Sequence, residues 1–194
     1  MTHDASFSLA SSNSSSSFPA PGSSQEAAPA GGFDAEQAAE ALTAQVHTWD
    51  DVSLAPHRAE AVAFQIDDKE FGHIHPTGLL DVPLPQPVRD VLVEQGVVAP
   101  HRYVPGSGWV TVRIASDRDL DAALFTLRLS YLYRRIIRAR TAADLACIRT
   151  ELDRLDVEGD LRAVYNAVLD RRARAASLRE RAVPQPPADP TDAE

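Results

Sequence analysis

The side chains best suited to chemistry are gathered in one short run, Glu70-Phe-Gly-His73-Ile-His75, followed by Asp81 and later by His101. On a strand, residues two apart project from the same face, so His73 and His75 stand side by side. Glu70 faces the other way unless Gly72 introduces a bulge. A tight turn at Pro76-Thr77-Gly78 brings Asp81 opposite one of the imidazoles. Two histidines and a carboxylate suit iron or zinc, because neutral imidazole and carboxylate both donate to such ions. The same set suits proton transfer, with Asp81 fixing an imidazole tautomer. A third reading is structural, since an H-x-H pair on a strand is often hydrogen-bonded and chemically idle. The run alone leaves all three open.

Other residues add little chemistry. Trp109, after Pro105-Gly-Ser-Gly108, either enters the core or lines a pocket and stacks on an aromatic substrate. Ser107 has no G-x-S-x-G elbow around it, and Pro105–Gly108 is too short for a phosphate-binding fingerprint. No organic-cofactor motif is present, which leaves iron or zinc at His73 and His75 as the cofactor candidates. Cys147, the single cysteine, excludes an internal disulfide framework and any multi-cysteine zinc module. Lying among apolar residues of an expected helix, it is expected to be buried and inert.

The elements that must position these groups follow from periodicity and punctuation. Asp34 and Gln37 resemble a capping box ahead of Ala38, Leu42, Val46 and Trp49, which predicts a helix over 34–47. Residues 60–67 alternate as a strand, Asp67-Asp68-Lys69 turns it, residues 70–75 suit a second strand, and Leu79–Leu84 a third. Pro87 opens a short helix that Gly96 stops. His101–Val104 and Trp109–Ile114 look extended. Ser116 and Asp119 then begin an apolar helix through Leu120, Leu124, Leu127 and Tyr131. Two more helices follow, one capped by Thr141 and one after Gly159. The fold class is therefore α+β: an antiparallel sheet, a three-stranded meander plus one or two further strands, with helices on one face and a C-terminal helical pair.

Several short motifs occur in order: Lys69-Glu-Phe-Gly-His-Ile-His75, Leu80-Asp81, Pro100-His101, Trp109-Val-Thr and Leu129-Ser-Tyr131. Together they resemble the luciferase domain of the fungal bioluminescence enzymes, over roughly residues 50–133. That resemblance implies oxygen addition to a hydroxylated pyrone luciferin without an added organic cofactor. It carries over matching positions and not roles. On the chemistry of the residues themselves, His73, His75 and His101 are expected to supply acid–base or ligand groups assisted by Glu70 and Asp81, with Trp109 and Tyr131 as substrate-binding residues. The serine-rich start departs from the apolar N-terminal stretch of the fungal enzymes. Two functions are thus expected to compete. One is an oxidoreductase acting with oxygen on a small aromatic or polyketide-like molecule; the other is a non-catalytic small-molecule or protein-binding module with structural histidines.

Charge completes the picture. The net charge is −9, yet no lysine or arginine precedes Arg58, and residues 183–194 carry only acids. The acidity belongs mainly to the ends, and the low balance argues against general nucleic-acid binding. Arg134, Arg135, Arg138 and Arg140 are expected to form a solvated helix end. Residues 1–32, with ten serines, read as a disordered arm, and the proline-rich 183–194 as a disordered tail. Between them a luciferase-like domain is expected at 33–140 and the helical pair at 141–182. Nothing resembles a secretory signal or a membrane span, so a cytoplasmic protein with a small-molecule substrate is expected. Oligomeric state is not legible.

Overall fold

Alternation decides which way each strand faces. Val62, Phe64 and Ile66, then Leu80 and Val82, then Val110 and Val112 turn one face of a sheet into an apolar floor, and most of them are buried. The computed structural model describes residues 33–182; the expected serine-rich arm and proline-rich tail lie outside the described residues. In chain order the elements are α1 (Ala35–His47), β1 (Ser53–Pro56), β2 (Val62–Ile66), β3 (Lys69–Ile74), β4 (Leu79–Pro83) and α2 (Gln86–Glu94). Then come β5 (Ala99–Pro100), β6 (Trp109–Arg113), α3 (Asp117–Arg138), α4 (Ala142–Arg154) and α5 (Gly159–Ala182). The strands form one antiparallel sheet in the order β1-β2-β3-β4-β6-β5. This is the expected α+β architecture.

Its details differ from expectation in three places. The sheet has one strand more than expected, because β1 pairs along β2 despite ending in Pro56, which an edge strand tolerates. His101–Val104 is not a strand; only Ala99 and Pro100 pair with β6, and the chain then turns through residues 102–108. On α3, Leu127 and Tyr131 are buried but Leu120 and Leu124 are only half-buried. The closely packed positions include Ala123, Thr126 and Ser130, whose hydroxyls are satisfied internally by the carbonyls of Ala122 and Pro83.

Helix starts were set by the side chains expected to set them. Asp34 accepts from the N–H groups of Glu36 and Gln37, Ser116 from that of Asp119, and Thr141 and Asp144 form a reciprocal capping box. Helices α1 and α3 pack on the apolar face of the sheet. There α3 runs close over β3, since a Cβ on Gly72 would lie 2.5 Å from Leu127 Cδ1. Helices α4 and α5 add Leu145, Ile148, Leu152, Leu161, Tyr165 and Leu169 to the same core. The Tyr165 hydroxyl donates to the Leu129 carbonyl over 2.6 Å. Cys147 contradicts its expectation: Leu145, Ile148 and Leu152 take the buried stripe of α4, and Cys147, just outside it, is exposed. No helix among the described residues is long and apolar enough to cross a membrane.

Candidate functional site

The sheet face turned away from the helices carries the polar cluster. Strand register builds it: His73 on β3 lies directly opposite Asp81 on β4, and Asp81 lies directly opposite Thr111 on β6. His75 follows two residues after His73 on the same face. Glu70 joins them because of a bulge. Phe64 pairs with Gly72 but Gln65 pairs with Glu70, so Phe71 is the extra residue of β3. The added residue returns Glu70 to the histidine face while Phe71 enters the core. Arg134 of α3 then donates to the Glu70 carbonyl over 3.0 Å, steadying the bulge.

Three imidazoles converge on one carboxylate oxygen. His73 Nε2, His101 Nε2 and His75 Nε2 stand 3.4, 3.6 and 3.7 Å from Asp81 Oδ2. The other oxygen, Oδ1, accepts from the Thr111 hydroxyl over 2.5 Å. On the far side of His73, its Nδ1–H donates to Glu70 Oε1 over 2.6 Å. His57, just beyond β1, stacks on His73 with ring centroids 4.0 Å apart and brings Nε2 to 3.9 Å from Glu70 Oε2. Trp109 closes the opposite flank, its ring centroid 5.6 Å from that of His73 and 6.3 Å from that of His101.

The centre of the cluster is buried, His73 being 8% exposed and Asp81 6%, while Glu70, His75 and His101 around it are half-buried. Burial disfavours a charge on His73, but its bonds to Asp81 and Glu70, with their negative charges, outweigh burial and raise its pKa to about 9. For Asp81, burial favours the neutral acid, yet the bonds from His73 and Thr111 and the nearby His101 hold its carboxyl below the usual range. A cleft of about 450 Å³ opens beside them, lined by His75, Asp81, His101, Tyr103, Thr111 and Arg113 among others. It is large enough for a small aromatic molecule.

Six of the seven residues singled out from the sequence are thus brought together: Glu70, His73, His75, Asp81, His101 and Trp109. Tyr131 is not. It sits on α3, on the helix-covered side, in an aromatic group with Trp49 and Phe71 at centroid distances of 5.1 and 5.6 Å. Its hydroxyl donates to the Asp50 carbonyl, and burial holds the phenol above its usual range. Sequence reasoning missed His57, Thr111 and Arg113. Thr111 and Arg113 had a signal, since they share the strand period of Trp109; His57 had none, because β1 was not anticipated. Three of the arginines expected at a solvated helix end are engaged within the protein: Arg134 with the Glu70 carbonyl, Arg135 with Glu151, and Arg138 with Asp51 and Asp67.

Among the described residues two groups of three donors lie close enough to share an ion: His73, His75 and Asp81, and His57, Glu70 and His73. Neither includes a thiolate. The donor sets fit a divalent ion that accepts nitrogen and oxygen.

Comparison with known proteins bears on this stretch of chain. No curated protein and no solved structure matches. Residues 68–130 match the family described as Luciferase domain. The match takes in β3, β4, α2, β5 and β6, and with them Glu70, His73, His75, Asp81, His101, Trp109 and Thr111; His57 and Tyr131 fall outside it. The strands that carry the histidine–carboxylate cluster are thus the part of the chain that is similar to the luciferase domain.

Proposed function

We propose that this chain is an oxygen-dependent oxidoreductase acting on a small hydroxylated aromatic or polyketide-like molecule bound in the cleft over β4 and β6. The observation that carries the reading is the convergence of three imidazoles on Asp81, with His75, His101 and Asp81 lining the cleft and His73 behind them. Titratable groups drawn around one buried carboxylate and opening on a cavity are the pattern expected of a functional site.

Each group has work it is suited to. Tyr103, which lines the cleft, offers an aromatic surface for a planar substrate, while the half-buried Trp109 backs His73 and His101 from outside the lining. Arg113 and the Nε2–H of His101 favour the oxyanion of an acidic hydroxyl. His101 is held as that donor, because the Tyr103 backbone N–H donates to its Nδ1 over 3.2 Å, which leaves the proton on Nε2. The oxyanion pushes electron density to the ring carbon that attacks O2. One C–O bond forms, the O–O π bond breaks, and two electrons pass from the substrate to oxygen. The proton lost from the hydroxyl is matched by one taken up by the peroxide, so substrate plus O2 gives a hydroperoxide with no other reactant.

The test is oxygen uptake by the purified chain with a panel of hydroxypyrones and catechols, with mass analysis of the products. The expected result is uptake with at least one of them and a product carrying both oxygen atoms. His101→Ala should lower the rate about 100-fold, the usual loss for an oxyanion donor. Tight binding of a panel member without any uptake above the protein-free control would replace this reading with the non-catalytic binding module.

A further inference from the structure

We infer that His73 Nε2, His75 Nε2 and Asp81 Oδ2 bind one divalent first-row transition-metal ion beside the cleft, whose wall His75 and Asp81 form. The inference rests on the reading that this cleft is the functional site, and adds to it a resident ion of the Mn2+ to Zn2+ series.

Geometry is the first support. Donor atoms bound at about 2.1 Å to one ion lie about 3.0 to 4.2 Å from each other, depending on the bond angle. The two distances to Asp81 Oδ2, 3.4 and 3.7 Å, fall in that range, and the three donors lie within 4.8 Å of one another. They stand on two directly paired strands, so the backbone fixes their spacing. The side chains behind them supply the second support. Glu70 accepts from His73 Nδ1, which orients the ring and turns Nε2 toward the cluster. This is the carboxylate–histidine pairing that metal-binding imidazoles use. Thr111 occupies Asp81 Oδ1 and leaves Oδ2 for the ion. An ion would displace whatever proton Nε2 carries without it.

Neighbouring groups narrow the site further. His101 also faces Oδ2, but with Nδ1 accepting from Tyr103 its Nε2 is a donor and not a ligand. The second donor group, His57 with Glu70 and His73, has Glu70 Oε1 and His73 Nδ1 already spent on each other. Two imidazoles and one carboxylate suit the borderline ions from Mn2+ to Zn2+ better than Ca2+ or Mg2+, which prefer all-oxygen shells. Three protein donors beside a cleft leave coordination positions for small molecules, unlike a closed structural site.

The experiment uses the full chain without an affinity tag, stripped with a chelator and titrated with Co2+ alone. Calorimetry and the visible absorption of the ion report binding, and circular dichroism reports the fold. One Co2+ per chain is expected, with loss of at least about 100-fold in affinity for Asp81→Ala and His75→Ala. Glu70→Gln should weaken binding about 10- to 100-fold, as removal of an orienting carboxylate does, and His57→Ala should keep it. His75→Ala, on the half-buried rim, decides the matter if Asp81→Ala fails to fold. A folded wild type that takes up no ion would overturn the inference, as would undiminished binding in His75→Ala or loss of binding in His57→Ala. Oxygen uptake is read separately on the same samples. Ion bound with no uptake upholds the site and removes the oxidase reading; uptake with no ion does the reverse.

Discussion

The two faces of the sheet are made by alternate residues of the same strands, yet they obey different rules. On one face Phe64, Ile74, Leu80, Val82 and Val110 pack beneath α1 and α3 with almost no exposure. Stability there follows apolar area and shape. On the other, His73, Asp81 and Thr111 are placed by the same ladders but satisfied by hydrogen bonds, with charge deciding what is stable. Leu80 and Asp81 are chain neighbours and belong to the two regimes. The lesson is that β-pairing sets the geometry of the site, while the packed face keeps that pairing rigid.

The comparison can be broken most severely on the packed face. Leu80→Ala removes a fully buried side chain and should cost about 2–5 kcal/mol of unfolding free energy in a denaturant titration. It should leave the donor set of the other face in place, so Co2+ uptake per folded molecule should persist. Gly72→Ala sits where the faces touch. Its Cβ would meet Leu127 Cδ1 at 2.5 Å and the Asp81 carbonyl at 3.2 Å, so the overpacking should cost about 1–3 kcal/mol. Unlike Leu80→Ala it should also weaken the ion, by displacing the β4 backbone at Asp81.

The smallest effect belongs to the polar face and appears as a pH slope in chelator-stripped protein. His73 is faced by Glu70 and His75 of its own strand, His57 beyond β1, Asp81 of β4 and the uncharged Trp109 of β6. Its folded pKa of about 9 lies above the ordinary 6.5, so its protonation stabilises the fold fully below about pH 6.5, and that contribution is lost as pH rises through about 9. Denaturation midpoints across this window should fall more steeply for the wild type than for His73→Gln. Equal slopes would mean that the two carboxylates do not govern His73.

How much of this was legible in the sequence depends on distance along the chain. The His73–His75 pair and its facing Asp81 follow from strand period and one tight turn, both local. Glu70 was legible only conditionally, since its side depends on a bulge that alternation cannot reveal. Its cause lies in the core, where Phe71 and Gly72 both serve the packed face. His57 was hidden because Ser53-Leu-Ala-Pro56 lacks the β-branched run of a strand and is held by β2 alone. Tyr131 shows the opposite failure. Its motif placed it near the histidines in sequence order, but nothing local says on which side of a sheet a helix will pack. Cys147 was misjudged by one position on α4, an error of about 100° around a helix.

On the proposed function, the polar face performs the chemistry and the packed face only holds it. Oxygen uptake per folded molecule, measured on the adjacent variants Asp81→Asn and Leu80→Ala with whichever hydroxylated substrate the wild type oxidises, tests it most directly. Asp81→Asn keeps the shape of the side chain but removes its charge and its ability to hold three imidazoles, so the rate should fall about 100- to 10,000-fold. Leu80→Ala should stay within about threefold of wild type once corrected for the folded fraction. An Asp81→Asn protein that consumes oxygen at the wild-type rate, or a Leu80→Ala protein that is folded and equally inactive, would contradict the account.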